Sequence, residues 1–148
     1  MARLFCLVLL AGICVGPLGR GDDAGRATSE SKKMQGTWRP VAGDLGGKPF
    51  PDEILKTMRL LLADGKYTVM VGEQPDEGTI KLNPAKSPRA MDIVGTKGPN
   101  RGKTIPAIYE LKGDTLRICY DLSGKSRPKG FKTVPGGQLF LVEYKRQP

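Results

Sequence analysis

Few side chains in this chain could do chemistry, and the absence of one residue type decides most of the question. There is no histidine, so neither a Ser-His-Asp nor a Cys-His arrangement can be built, and no imidazole base titrates near neutral pH. Asp52-Glu53 and Asp76-Glu77 have the residue types of a glycosidase. Neighbours in sequence do not share a face, however, and both pairs stand beside turns or at a helix start, so they read as solvated surface. Outside the N-terminal segment Cys119 is the one thiol. With scattered acids around it, it does not make the three or four ligands that zinc needs, and no metal, haem or other cofactor is expected. Gly95, Gly98 and Gly102 lack the Lys-Ser/Thr pair and the following helix of a phosphate loop, and read as turn glycines. The chain is expected not to be an enzyme.

What remains is basic. Lys97, Arg101 and Lys103 fall in one glycine-rich stretch, and Lys125, Arg127, Lys129 and Lys132 in another. The whole chain carries 24 Lys and Arg against 15 Asp and Glu, a net charge of +9, which favours anionic partners. Phe131 is the only aromatic among these cations. The interleaving of single-strand nucleic-acid binders is therefore missing, and no nucleic-acid partner is expected. Asp92, between Met91 and Ile93, is expected to make a structural hydrogen bond. Cys119 alternates out of phase with Leu116, Ile118 and Tyr120, which places it on the outer face of its strand as an inert thiol rather than a reactive or disulfide-forming one.

The N-terminus supplies an address. Arg3 precedes twelve apolar residues, Leu4 to Val15, which match the central segment of a secretory signal and are too short to span a bilayer. Cleavage is expected between Gly16 and Ala24, so residues 1–19 are read as a signal peptide. Cys14 would be the lipidated residue of a lipoprotein, but Ile13 before it is bulkier than such a site wants, and lipidation is disfavoured. The product is expected to be exported to the periplasm, the cell envelope or the exterior, with no transmembrane span in the mature chain. Its anionic partners are then acidic polysaccharide, lipid or acidic protein surfaces. Residues 20–33 hold almost no large apolar side chain and read as a disordered tether.

From Met34 onward the chain breaks into short β-compatible runs punctuated by Gly, Pro, Asn and Asp, the pattern of an all-β domain over residues 34–148. Eight runs are predicted: Met34 to Gly43, Thr57 to Asp64, Lys66 to Gly72, Glu77 to Asn83, Arg89 to Gly95, Thr104 to Leu111, Thr115 to Asp121 and Gln138 to Arg146. Pro51 to Lys56, with proline at its start and acids in its first turn, is the one helix expected. Tyr67, Val69 and Val71 share a face, as do Gly78, Ile80 and Leu82, and Leu116, Ile118 and Tyr120; these faces should point inward, with Lys81 and Arg117 outward. Leu60-Leu61-Leu62 and Leu139 to Val142 are apolar on both parities and leave register open.

Asp64-Gly65 and Lys112-Gly113-Asp114 read as tight hairpins, and Asn83 to Pro88 as a modest one. If strands run up and down in order, the long connections all fall at one end. The result is a barrel with a tight floor and a loop-lined mouth, which is where barrels bind ligands, and both basic loops lie at that mouth. Pro40 and Pro106 each remove a ladder donor, so a bulge or a strand end is expected at each.

Gly36-Thr37-Trp38 resembles the Gly-x-Trp signature that opens lipocalin barrels. The wider series is Gln35 to Trp38, Gly47-Lys48-Pro49, Asp64 to Tyr67, Gly78-Thr79, Ile108 to Leu116 and Cys119-Tyr120. It is similar to an uncharacterised lipocalin-like domain family found in planctomycete bacteria, over the chain from about Met34 to its end. The resemblance implies an eight-stranded antiparallel up-and-down barrel and no established activity. It also implies structural roles for Gly36 and Trp38, with Trp38 plugging the closed floor beneath a basic side chain of the last strand, for which Arg146 is the nearest candidate.

The expected function is thus a non-enzymatic binding domain for an anionic or amphipathic ligand at the mouth, through Lys97, Arg101, Lys103, Lys125, Arg127, Lys129 and Lys132. The alternative is a structural or protein-interaction module of the cell envelope with a filled barrel. A hollow interior favours the first and a solid one the second.

Overall fold

The computed structural model describes residues 20–148; residues 1–19, read above as a signal peptide and including Cys14, lie outside the described residues. After helix α1 (Arg20–Met34) come strand β1 (Gly36–Leu45), the two-residue strand β2 (Lys48–Pro49) and helix α2 (Asp52–Thr57). Seven further strands follow: β3 (Met58–Ala63), β4 (Lys66–Val71), β5 (Gln74–Asn83), β6 (Arg89–Lys97), β7 (Thr104–Lys112), β8 (Thr115–Asp121) and β9 (Leu139–Arg146). Apart from β2, which pairs only with the end of β1, these strands form one antiparallel ring in sequential order, and β9 closes it against β1. The protein is an eight-stranded, closed, up-and-down barrel, and closure leaves no strand edge free among the eight.

Inward-facing side chains alternate as the pleat demands. In β3 Leu60 is 3% exposed and Leu61 44%, so the ambiguous leucine run resolves with Leu60 and Leu62 inside. The Asp64-Gly65 turn has φ of 51° and 72°, the doubly positive geometry that matches strand twist in a two-residue hairpin. Pro40 lies at a register shift in the β1–β9 ladder, with Val41 bulged outward. Pro106 stands just beyond the β7–β8 ladder, whose first pair is Ala107 with Tyr120. Neither proline prevents closure: Pro40 sits at the β1–β9 register shift, whereas β7 runs straight through Pro106, which pairs with Asp92 in an unbroken β6–β7 ladder, so the bulge or strand end expected there is not found.

The closed end is sealed by Met34 and Trp38, both fully buried. The Trp38 indole Nε1 donates to the Met34 carbonyl at 2.9 Å. The Arg146 guanidinium stacks over the indole, 4.3 Å from the ring centre. Arg146 also donates to the carbonyls of Lys33, at 2.6 Å, and Gln35, and to Asp114 at 3.0 Å. One side chain thus satisfies carbonyls at the helix end that no intrahelical partner can reach.

Residues 20–33 depart from expectation: they form α1 rather than a tether. The reason is a polar anchor. Glu30 is buried against the barrel, accepting from Arg89 at 3.0 Å and from the Tyr109 hydroxyl at 3.3 Å. Composition measured the missing apolar side chains and could not register an ordering contact made by a carboxylate.

Candidate functional site

Up-and-down order places α2, the β4–β5 turn, the β6–β7 loop and the start of the β8–β9 connection at the end opposite Trp38. Between that end and the Trp38 floor the barrel is hollow. A cavity of about 140 Å³ is lined by aliphatic side chains that include Leu60, Val69, Ile80, Ile93, Ile105 and Ile118. It extends to Asp76, Asn100 and Leu122 at the open end, and no Lys or Arg side chain lines it. A dry apolar cavity of ~150 Å³ in another protein accepts benzene, so this one accommodates a single ring or a short alkyl segment.

Three phenols give the wall its polar groups. The Tyr120 and Tyr144 hydroxyls are 3.0 Å apart and hydrogen-bonded. Burial pushes the Tyr144 phenol up to about 12 and Tyr120 well above the ordinary tyrosine value, so both keep their protons across the physiological range. Tyr67 donates to Asp76 at 3.1 Å; burial first, and then the Asp76 charge, raise its pKa.

The rim is organised by Asp76. Beside the Tyr67 bond, its carboxylate accepts from the Asn100 amide N–H at 3.0 Å and the Asn100 side-chain amide at 2.7 Å. These bonds draw the β6–β7 loop inward over the opening. Glycine is required beneath it, since a Cβ on Gly95 would lie 2.0 Å from the Asn100 carbonyl oxygen. The surface reading of Asp76 is therefore corrected. β5 begins at Gln74 rather than Glu77, so Asp76 continues the inward parity of Gly78, Ile80 and Leu82. That parity was the signal that could have found it. Glu77, on the opposite parity, pairs with Lys97 at 3.7 Å outside the barrel.

The seven basic residues do not all meet at the mouth. Lys97, Arg101 and Lys103 flank or occupy the β6–β7 loop and Lys125 lies in the adjoining first turn of the β8–β9 connection, all exposed. Beyond that turn the connection leaves the mouth and lies against the outer wall. Arg127 donates to the Met91 and Ala107 carbonyls, both at 2.9 Å, and to Asp92 at 2.5 Å. Its guanidinium is thus a clamp, and Asp92 makes the structural bond expected of it. Phe131 packs on Arg117, 4.5 Å from guanidinium carbon to ring centre. Lys129 and Lys132 are exposed along this wall segment. Sequence order fixes where a connection starts and ends, and the path between depends on apolar surface it can cover. Ala90, Ile108 and Cys119 supply that surface and are buried on the outer face.

Asp121 starts this wall segment. Burial works against its charge. Hydrogen bonds from the Ser123 hydroxyl and the amides of Ser126 and Ser123 prevail and hold its carboxyl below the usual value. Cys119 is covered by the segment, and its thiol lies 3.9 Å from the Lys132 carbonyl; burial pushes the thiol up, which disfavours the reactive thiolate. Among the described residues no three acidic or cysteine side chains cluster as metal ligands would, and no helix is long and apolar enough to cross a membrane.

Fold and site together define a closed, up-and-down β-barrel with an apolar cavity reaching its looped end. No protein family, no curated protein and no solved structure matches this chain.

Proposed function

We propose that this is an exported, non-enzymatic, lipocalin-like binding domain that takes the apolar part of a small amphipathic ligand into its barrel. The observation that carries the reading is the cavity of about 140 Å³, lined by aliphatic and phenolic side chains and continuous with the rim. The Trp38–Arg146 stack at the opposite end supports the lipocalin-like comparison. A polar or anionic end of the ligand would lie outside, near Lys97, Arg101, Lys103 and Lys125. Titration with toluene, followed calorimetrically, tests the reading. Saturable uptake is expected, with loss of uptake and a retained β-sheet spectrum in Val69→Phe, which fills the lining. Failure of the parent protein to take up toluene or any other single-ring probe of its size would refute it.

A second reading is favoured by the charge of the closed end, where Lys32, Lys33, Lys86, Lys112 and Lys145 are all exposed. There the outer surface serves as an interaction module of the cell envelope for acidic polysaccharide, lipid or protein. Salt-sensitive retention on dextran sulfate that is abolished by Ser substitutions at these five lysines, and not by substitutions at the mouth, would support it.

A further inference from the structure

The cavity holds a hydrogen-bond donor that the protein itself does not use. Two neutral phenols, Tyr120 and Tyr144, carry two hydroxyl hydrogens, and the bond between their oxygens, 3.0 Å long, engages one. Neither oxygen makes another hydrogen bond among the described residues, and both side chains line the cavity. Whichever phenol donates to the other, one O–H remains directed away from the pair. Two features limit what could accept it. A carboxylate or phosphate in the cavity would be buried with no Lys or Arg in the lining and with Asp76 at the rim, an uncompensated charge that costs far more than one hydrogen bond returns. A pure hydrocarbon would leave the donor unsatisfied in apolar surroundings.

We infer that the buried part of the ligand is neutral and carries a hydrogen-bond acceptor, a carbonyl, ether or nitrile type of atom on an apolar body, which takes the spare hydroxyl of the Tyr120–Tyr144 pair. The inference rests on the cavity-binding reading and sharpens it from size to chemistry. Asp76 and its Tyr67 and Asn100 partners then exclude anions from the interior. The exposed cations at the mouth act only on whatever part of the ligand stays in solvent.

Two probes of similar size separate the claims: toluene, which has no acceptor, and benzonitrile, which has one. In the parent protein the benzonitrile-to-toluene affinity ratio should exceed that of the Tyr120→Phe/Tyr144→Phe double variant by about tenfold, the size of one hydrogen bond. Comparing ratios cancels the different hydration of the probes. Either single variant retains one hydroxyl and should keep most of the preference. The nitrile stretch of bound benzonitrile gives the same answer in the parent alone, so the test survives a double variant that does not fold. Its frequency should be that of a hydrogen-bonded nitrile, and the frequency found in an alkane solvent would overturn the inference. An unchanged ratio in a folded double variant would also overturn it while leaving cavity binding intact. Uptake of neither probe would overturn both.

Discussion

The two ends of this barrel are built from opposite materials. At the closed end the fully buried side chains Met34 and Trp38 are held by polar contacts, Arg146 on three carbonyl or carboxylate oxygens and Glu30 on Arg89 and Tyr109. At the open end the interior stays apolar and unfilled, and the polar groups, Asp76, Asn100 and Tyr67, are drawn to one another. A barrel of this size can fill its interior with side chains or leave room for a small ligand. Here filling is concentrated at one end and the room is left at the other. The contrast teaches that net positive charge locates nothing by itself: a cation such as Arg146 or Arg127 can be wholly engaged in holding backbone together.

If the closed end is the stabilising end, damage there should cost most. Trp38→Ala removes the largest buried side chain together with its bond to Met34 and its stack on Arg146. It should destabilise the domain by about 3–5 kcal/mol, read by urea denaturation. A loss below ~1 kcal/mol would mean that the plug is not what seals the barrel.

The wall segment lies between the two extremes. Arg127→Ala leaves the Met91 and Ala107 carbonyls without that donor and Asp92 without its partner, at a cost of about 1–3 kcal/mol. It should also uncover Cys119, which is fully buried in the parent. Labelling of the native protein with a thiol reagent should accelerate by at least an order of magnitude, and an unchanged labelling rate would show that the segment holds without the clamp.

Alkaline pH examines the buried phenols. Tyr144 is raised from an ordinary value near 10 to about 12. Its contribution is therefore fully present below pH 10 and is lost between pH 10 and 12, as the unfolded chain ionises and the folded one does not, by up to about 1.4 kcal/mol per pH unit. Melts recorded at pH 9 and pH 11.5 should separate in the parent by more than in Tyr144→Phe. Asp121 acts in the other direction: its folded pKa is depressed, so its contribution is present above the unfolded carboxyl value and disappears as pH falls through the folded one.

The smallest effect belongs to the exposed cations of the mouth. Changing Lys97, Arg101, Lys103 and Lys125 to serine should each alter stability by less than about 0.5 kcal/mol. A large loss from any of them would place a structural contact at the open end and erode the contrast with the closed end.

Much of the barrel was legible in the sequence, and the reasons are visible in single residues. Alternation at Gly78, Ile80 and Leu82, the Asp64-Gly65 turn and the Pro51 helix start all report local backbone geometry, and each lies where its pattern placed it. Asp76 is not legible from a strand predicted to begin at Glu77, three residues after the true start of β5 at Gln74, because that start hides its parity with Gly78. Helix α1 was missed because its anchor, Glu30, makes contacts at Arg89 and Tyr109, 59 and 79 residues away. The path of the β8–β9 connection was missed for the same kind of reason, since Arg127 reaches back 35 residues to Asp92. Local pattern carries strands and turns, whereas long-range polar contacts decide where an irregular segment rests.

The binding reading stands on the interior between Leu60 and Ile118 being an accessible, ligand-sized space. Nuclear Overhauser effects between benzene protons and the isoleucine and leucine methyl groups of the native protein test this. Saturable cross-peaks are expected to Ile93, Ile105 and Ile118, which line the cavity, and none to Leu61, which faces outward. Cross-peaks confined to outward-facing methyls, or none with benzene at its solubility limit, would contradict it.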